Sequence, residues 1–296
     1  MAKNKKPSSK QPRKTHKKTK TTPRHTGVTG IMPTGLLIPE KIKNVVKNNK
    51  FLLKLALMLY KPYFRFYINY YCWSNFNRQN SADIKPFRLL YINPDDIEDY
   101  IVDGHRNYEE DYLKPRIKDG DWDLQKKDFE SKDIFKSIKM RFKENKSWTN
   151  TPKYKNSINA IENNEENYYK YGAETEKELL DSLKQIDELH NNILKEGYKT
   201  QNEARKGIKT DRNFRIDEHL PHIREILVSI GRDGDFILED GNHRLAIAKL
   251  LELEKIPVRV LIRHREWQKI RNQAVNNPEK LTKKQKQHPD IKYLVE

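Results

Sequence analysis

The sequence predicts an α+β protein with a small mixed sheet, a β-hairpin, packed helices and a helical insertion. Three observations support this fold class: alternating apolar segments flank Asp233-Gly234, another alternates over 256–264, and residues 174–197 have helical spacing. The 296 residues suffice for one large domain or two small ones. An apolar fraction of 35% against 34% charged residues indicates that part of the chain is not packed.

The N-terminal arm, residues 1–30, is rich in Lys and Arg and contains no acidic residue. Such a segment buries too little apolar surface to offset the entropy lost on ordering, so we expect a disordered basic arm. Much of the net charge of +17 lies in it. A solubilising role, a contact with DNA and a contact with an anionic membrane surface all fit this composition.

The single cysteine, Cys72, excludes an internal disulfide and a cysteine-based metal site. No secretory signal is evident, because the apolar run begins only near residue 51 and contains Lys54. We therefore expect a cytoplasmic protein, with a peripheral position at a membrane or nucleoid if the arm binds there.

Residues 31–86 are expected to form a helical, aromatic-rich segment. The apolar run at 51–73 is long enough to span a bilayer, but three basic side chains and Pro62 interrupt it, which excludes a transmembrane helix. Two interpretations remain open. The run forms a helix that packs on the domain, or an amphipathic segment that lies on a membrane surface.

The main domain is expected to cover residues 87–272. A β-rich stretch from residue 87 ends at Asn93-Pro94, where a short helix begins. Residues 103–175 are polar and irregular, which predicts an insertion of short helices and loops. Within it, Asp121 and Asp123 flank Trp122, a pattern typical of a turn with a buried ring; a bound cation is the alternative.

A long helix follows the insertion. Its apolar positions, Leu179, Leu183, Ile186 and Ile193, lie on one face, and Gly197 is placed to end it. The Thr-x-x-Glu sequence at 200–203 has the form of a capping box and predicts a second, shorter helix.

Residues 224–268 carry the most information. Ile226, Val228 and Ile230 alternate on one face of a strand, Asp233-Gly234 predicts a two-residue hairpin turn, and residues 235–239 form the returning strand. The turn 240–244 then leads into an apolar helix. The next strand has three apolar residues on one face: Val258, Val260 and Ile262. After residue 272 we expect a polar C-terminal tail, 273–296.

The start of that apolar helix is predicted to bind an anion at the edge of the sheet. A helix N-terminus presents unpaired N–H groups and a partial positive charge, to which His243 and Arg244 add donors. In the structural alternative, Asn242 and His243 cap the helix. Arg244 requires either an anion or a carboxylate such as Asp240. Lys249 is expected to face solvent.

A hairpin, a Gly-x-x-Arg turn, an Ala/Leu-rich helix and an Ile-Pro-Val strand together resemble the ParB/sulfiredoxin superfamily over residues 220–268. The longer order of motifs is similar to uncharacterised archaeal ParB-like proteins. The resemblance implies a nucleotide phosphate at the helix start, contacted by Gly241, Asn242, His243 and Arg244. Asn242 stands where sulfiredoxins have a cysteine nucleophile, so sulfinic-acid reduction is not expected. No helix-turn-helix that would read DNA is apparent after residue 268, so the role of ParB proteins is not expected either.

Phosphoryl chemistry requires neutralisation of phosphate charge, a metal and a base. Arg244 and the helix amides would neutralise charge, Glu239 or Asp240 would hold Mg²⁺ or act as the base, and His243 would donate a proton. The leading hypothesis is therefore a nucleotide- or phosphate-binding protein, with Mg²⁺-dependent nucleoside triphosphate hydrolysis or phosphoryl transfer as its reaction. A non-catalytic DNA-associated protein and a membrane-surface binding protein are the alternatives.

Overall fold

The computed structural model describes residues 49–102, 114–165, 173–204 and 224–296. The predicted basic arm, residues 1–30, lies outside these ranges. The strands are β1 (Leu89–Ile92), β2 (Asp99–Ile101), β3 (Arg116–Lys118), β4 (Lys126–Asp128), β5 (Ile226–Ile230), β6 (Phe236–Asp240) and β7 (Ile256–His264). The helices are α1 (Lys50–Cys72), α2 (Asp133–Phe142), α3 (Pro152–Glu162), α4 (Glu176–Glu196), α5 (Gln201–Ala204), α6 (Asn242–Leu250), α7 (Arg265–Asn276), α8 (Lys283–Gln287) and α9 (Pro289–Val295).

Within the described ranges the strands form one mixed sheet of seven strands, so the α+β class is confirmed. The order is β1-β7-β5-β6-β2-β4, and β3 also pairs with β7. The neighbours β5 and β7 are parallel, as are β6 and β2, whereas β5 and β6 form the antiparallel hairpin. The sheet is larger than the small one predicted, because the segment read as an insertion supplies β3 and β4.

One face of the sheet carries the main hydrophobic core. The predicted apolar face of β5, formed by Ile226, Val228 and Ile230, is confirmed and packs with α6. Helices α2 and α4 cover α6 from outside. The predicted end of α4 is confirmed, since Gly197 ends it with a φ of 73°, and Thr175 caps its start.

Two further helix predictions had different outcomes: the capping box at residues 200–203 and the exposure of Lys249 on α6. The capping box before α5 is confirmed: the Thr200 hydroxyl accepts from the Glu203 N–H at 3.2 Å, and the Glu203 carboxylate accepts from the Thr200 N–H at 2.9 Å. The prediction for Lys249 was wrong. Its side chain is only 7% exposed and its Nζ lies 3.5 Å from the Asp95 carboxylate, because the short 3-10 turn Pro94–Asp96 after β1 packs on α6.

A β-bulge changes the predicted pattern of β7. Val228 pairs with Val260, but the next residue, Ser229, pairs with Ile262, so Leu261 is an extra residue in the ladder. An extra residue reverses the alternation beyond it. Ile262 therefore lies in the cluster on the second face of the sheet, and its predicted place beside Val258 and Val260 was wrong.

The turn between β5 and β6 is longer than the two residues predicted, since residues 231–235 all lie outside the ladder. The Gly231 N–H donates to the Asp235 carbonyl at 3.0 Å, and the Asp235 carboxylate accepts from Lys126 Nζ at 2.6 Å. A Cβ on Gly234 would lie 2.5 Å from the Trp267 ring. The Gly234 carbonyl accepts from His288 Nε2 at 2.9 Å. The loop is thus held by residues from α7 and the start of α9.

The turn at Trp122 packs against the second face of the sheet. The Trp122 ring is buried, and both neighbouring carboxylates pair with one guanidinium: Arg232 Nη2 lies 2.7 Å from Asp121 Oδ1 and 2.8 Å from Asp123 Oδ1. These contacts confirm the interpretation as a turn with a buried ring. They also give both carboxylates a protein cation as partner in place of a metal.

Residues 273–296, predicted as a polar tail, include the end of α7 and the helices α8 and α9. Asp290 on α9 is fully buried, and its carboxylate accepts from Arg263 Nε at 2.9 Å, Arg263 Nη2 at 2.6 Å and Trp267 Nε1 at 3.1 Å. Arg271 Nε lies 3.1 Å from the same carboxylate. We call these four residues the Asp290 cluster, and it fastens the C-terminal segment to β7.

Among the described residues, no helix combines the length and the apolar character that crossing a membrane requires. This agrees with the exclusion of a transmembrane helix at 51–73. Helix α1 instead packs one face on the domain through Phe64, Ile68 and Cys72, which cluster with Ile84.

Candidate functional site

Helix α6 begins at the end of β6, a strand with neighbours on both sides. Its N-cap residue is Gly241, with a φ of 100°, a backbone conformation that side chains rarely adopt. A Cβ there would also lie 3.1 Å from the Ile226 backbone, so the sequence needs glycine for two reasons. Because the N-cap is glycine, neither Asn242 nor His243 caps the helix as the structural alternative expected. The first-turn N–H groups therefore lack the usual N-cap side-chain acceptor.

Arg244 has a carboxylate partner, but not the Asp240 carboxylate that the sequence suggested. Its Nη1 lies 3.7 Å from Glu225 Oε2, and its Nη2 donates to the Arg224 carbonyl. Glu225 directly precedes β5 and its side chain is fully buried. The sequence signal was available: an acidic residue placed directly before a mostly apolar strand must find a partner inside the protein.

Glu225 is only partly paired in this position. Its Oε1 accepts from the Gln201 N–H at 2.6 Å, at the start of α5. Burial raises the pKa of Glu225 to about 7, against the opposing effects of that N–H and of Arg244. Burial likewise raises the pKa of the neighbouring Tyr198 to about 12. Glu225 therefore exchanges a proton near neutral pH, whereas Tyr198 keeps its hydroxyl hydrogen.

Several buried polar atoms around the start of α6 have no hydrogen-bond partner. Within the described part of the chain these include Tyr198 Oη, Glu225 Oε2, Asn242 Oδ1 and Arg244 Nη1. Buried polar side-chain atoms are normally hydrogen-bonded, and each exception requires an explanation. Asn242 Oδ1 is an acceptor only, as is Glu225 Oε2 when ionised, Arg244 Nη1 is a donor only, and the hydroxyl is both. A polar molecule with donors and acceptors would complete the set. We call these four residues the α6 polar cluster.

Two further basic groups lie close to the helix start. Lys153 on α3 is 3% exposed, and burial lowers its pKa to about 8, opposed by the charge of Asp133. Burial also lowers the pKa of His243 to about 4, and the charge of Lys153 contributes to the decrease. At pH 7 the imidazole is neutral, so it is not the ready proton donor that the sequence suggested. Lys153 was missed because it lies in the segment read as an insertion.

The two carboxylates proposed for metal binding or base catalysis are not brought together. Consecutive residues of a strand point to opposite faces. Glu239 shares a face with Ile237, where its Oε1 accepts from the Ser229 hydroxyl at 2.7 Å, away from α6. Asp240 lies on the α6 side, where its charge raises the pKa of His243. Across the described ranges, no group of three or more His, Cys, Asp or Glu side chains is arranged to hold a metal ion.

The predicted phosphate contacts, residues 241–244, thus lie together at the start of α6, joined by Lys153, Tyr198 and Glu225. No protein-family model, curated protein or solved structure matches the chain. The functional assignment consequently depends on the chemistry of this site.

Proposed function

We propose that the chain binds the phosphate groups of a nucleotide at the start of α6. The observation that carries this proposal is the α6 polar cluster, in which four buried polar atoms lack a hydrogen bond. The amino end of a helix favours an anion, since its N–H groups and its dipole act together. The resemblance to the ParB/sulfiredoxin superfamily implies a ligand of the same kind at the same turn.

Charge supports a phosphate over a neutral ligand. Arg244 Nη1 is a donor without an acceptor, and Lys153 adds a second cation that is protonated below a pKa of about 8. A phosphate offers several strong acceptors to these groups and to the first-turn N–H groups. The Glu225 carboxylate opposes an anion only in part, because its pKa of about 7 leaves it partly protonated at neutral pH.

The acceptors of the site favour a nucleotide over free phosphate. Asn242 Oδ1 requires a donor, as does Glu225 Oε2 when it is ionised, and the oxygens of a fully ionised phosphate supply none. A nucleoside carries hydroxyl and amino groups that can donate to them. We extend the proposal to hydrolysis or transfer of the terminal phosphoryl group, with Asp240 as the base. Mg²⁺ would enter with the nucleotide, because the residues at the site do not form a metal-holding set.

Calorimetry of the full chain with ATP, CTP, GTP and UTP, each with Mg²⁺, tests the proposal. We expect one of them to bind, and Arg244→Ala to weaken that binding by about 10- to 150-fold, the equivalent of ~1.5–3 kcal/mol for a charge-assisted contact. Arg265→Ala is the matched control, since Arg265 is exposed and pairs with Asp119 at the surface. Its affinity should equal that of the wild type.

Two results would overturn the proposal: no binding of any of the four nucleotides, or equal binding by the Arg244→Ala and wild-type chains. Arg244→Lys provides a check on folding, because it keeps a charge beside Glu225. This variant should melt near the wild-type temperature and show intermediate affinity. The DNA-associated alternative depends on residues 1–30, outside the described ranges, and stays a prediction.

A further inference from the structure

Helix α1 has two apolar faces, and the described part of the domain covers one of them. Phe64, Ile68 and Cys72 form the inward face and are buried. Their spacing of four residues is that of a single stripe along a helix. A surface helix that packs on a domain ordinarily has a polar opposite side.

The opposite side of α1 is apolar as well. Phe66 is 69% exposed and Trp73 is 52% exposed, although both are large hydrophobic side chains. We define the outward face by five exposed residues of α1 and the exposed residue directly after it: Phe51, Met58, Tyr63, Phe66, Tyr70 and Trp73. Within it, the ring centroids of Phe66 and Tyr70 are 6.2 Å apart and those of Tyr70 and Trp73 are 5.9 Å apart. An exposed apolar surface of this kind marks an interaction site.

The charges along the chain segment that carries the outward face are of one sign. Between residues 50 and 82 the chain has basic residues but no acidic one, and upstream of residue 50 the only acidic residue is Glu40. Arg65 is exposed on the same helix, and the Arg78 guanidinium lies 5.4 Å from the centre of the Trp73 ring. A second copy of this chain would bring like charges together at this face. The partner must therefore be anionic and must also accept apolar side chains.

We propose that the outward face of α1 docks on an anionic lipid bilayer surface, with its aromatic rings at the level of the headgroups. Tyr and Trp are favoured at this depth, since their rings are apolar and carry one polar group. The aliphatic and phenyl side chains of the helix enter the acyl boundary, and the basic residues attract anionic headgroups. A nucleic acid would match the charge but offers no apolar phase for Phe51 and Met58.

Trp73 provides a direct signal for this docking. The chain has four tryptophans, and the other three, Trp122, Trp148 and Trp267, are buried. A shift of the tryptophan emission to shorter wavelength on adding vesicles therefore reports on Trp73. Lipids brominated near the headgroup should quench the same emission.

The experiment uses the full chain with vesicles of phosphatidylcholine alone and of phosphatidylcholine with phosphatidylserine. We expect flotation and the Trp73 shift only with phosphatidylserine, and weaker binding as salt is raised. Phe66→Ser with Tyr70→Ser should weaken binding by about tenfold or more, since two apolar side chains no longer enter the bilayer. These residues are exposed, so the thermal melting curve should not change.

Tyr91→Ser with Leu124→Ser is the matched control, because both side chains are similarly exposed on other elements. It should bind vesicles as the wild type does. The proposal is overturned if the chain does not float with either vesicle, or if the two double variants bind equally. It is also overturned if Trp73 shifts with single-stranded DNA or on self-association but not with vesicles.

Discussion

The Asp290 cluster and the α6 polar cluster both bury charged groups, but they differ in how completely those groups are paired. In the Asp290 cluster, Arg263, Trp267 and Arg271 all contact one carboxylate, with Arg263 binding it through two nitrogens. Burial alone would raise the pKa of Asp290, yet Arg263 and Arg271 lower it to about 2. The cluster is complete without any further molecule.

The α6 polar cluster has the opposite character. Arg244 and Glu225 approach only to 3.7 Å, and each keeps a buried atom without a hydrogen bond. Burial raises the pKa of Glu225 to about 7, whereas the pKa of Asp290 is lowered. The comparison teaches that a buried charge by itself does not indicate function. The proposed ligand site depends on the incomplete pairing of buried groups at a helix start.

The largest expected effect comes from breaking the complete cluster. Asp290→Ala leaves two guanidinium groups buried without their carboxylate, and we expect the free energy of unfolding to fall by about 3–5 kcal/mol. Urea denaturation measures this change. Because the pKa of Asp290 is lowered, its contribution is present above pH 3.8 and should be lost as the pH falls toward 2 in the wild type. Nucleotide affinity per folded molecule should not change, and a loss of affinity would show that the two clusters are coupled.

The second effect concerns the proposed nucleotide hydrolysis beside the α6 polar cluster. If Asp240 is the base, Asp240→Asn should reduce nucleotide hydrolysis by about 100-fold or more and leave the affinity nearly unchanged, since the interaction is made in the transition state. If Asp240 only shapes the turn before α6, Asp240→Asn should leave both hydrolysis and the melting temperature nearly unchanged, because Asn replaces Asp well in turns. Measuring both quantities on this variant distinguishes the two roles. Unaltered hydrolysis would end the catalytic assignment.

The third effect is a pH dependence that Lys153, which acts on His243 at the start of α6, should give to nucleotide binding. Below pH 8 the Lys153 ammonium is charged and attracts a phosphate; above pH 8 it loses its proton in the free protein. The affinity for nucleotide should therefore fall by up to about tenfold per pH unit above 8, with proton uptake on binding. Calorimetry in buffers of different ionisation enthalpy measures both quantities. Lys153→Met should flatten the profile, and an unchanged profile would remove Lys153 from the site.

The smallest effect is expected at Glu239, on the opposite face of the sheet. Glu239→Gln keeps an oxygen that accepts from the Ser229 hydroxyl, so the loss of stability should be about 1 kcal/mol or less. Affinity and hydrolysis should equal those of the wild type. A fall in hydrolysis comparable to that of Asp240→Asn would contradict the separation of the two carboxylates.

Local features were predicted well from the sequence. The apolar stripe of α4, the capping box at Thr200 and Glu203, and the strands around Asp233-Gly234 depend on residues within one or two turns of one another. Such patterns follow from periodicity and from backbone chemistry, which the sequence displays directly.

Features that depend on packing between distant segments were not predicted. β3 and β4 have three residues each, too few to show a period, and they form only because the sheet edges accept them. The β-bulge that places Ile262 on the second face of the sheet has no signal in the sequence. Lys153 and His243 are 90 positions apart, so only the packing of the helices around α6 brings them together.

The loop between β5 and β6 depends on a side chain that is added much later during protein synthesis. The His288 side chain that bonds Gly234 is added 54 residues later, which takes about 3–10 s at ~5–20 residues per second. Until then the nascent hairpin lacks the contacts that hold its loop, and its apolar strands are open to other chains. Residues translated after β7 therefore complete the support of a hairpin loop that was translated seconds earlier.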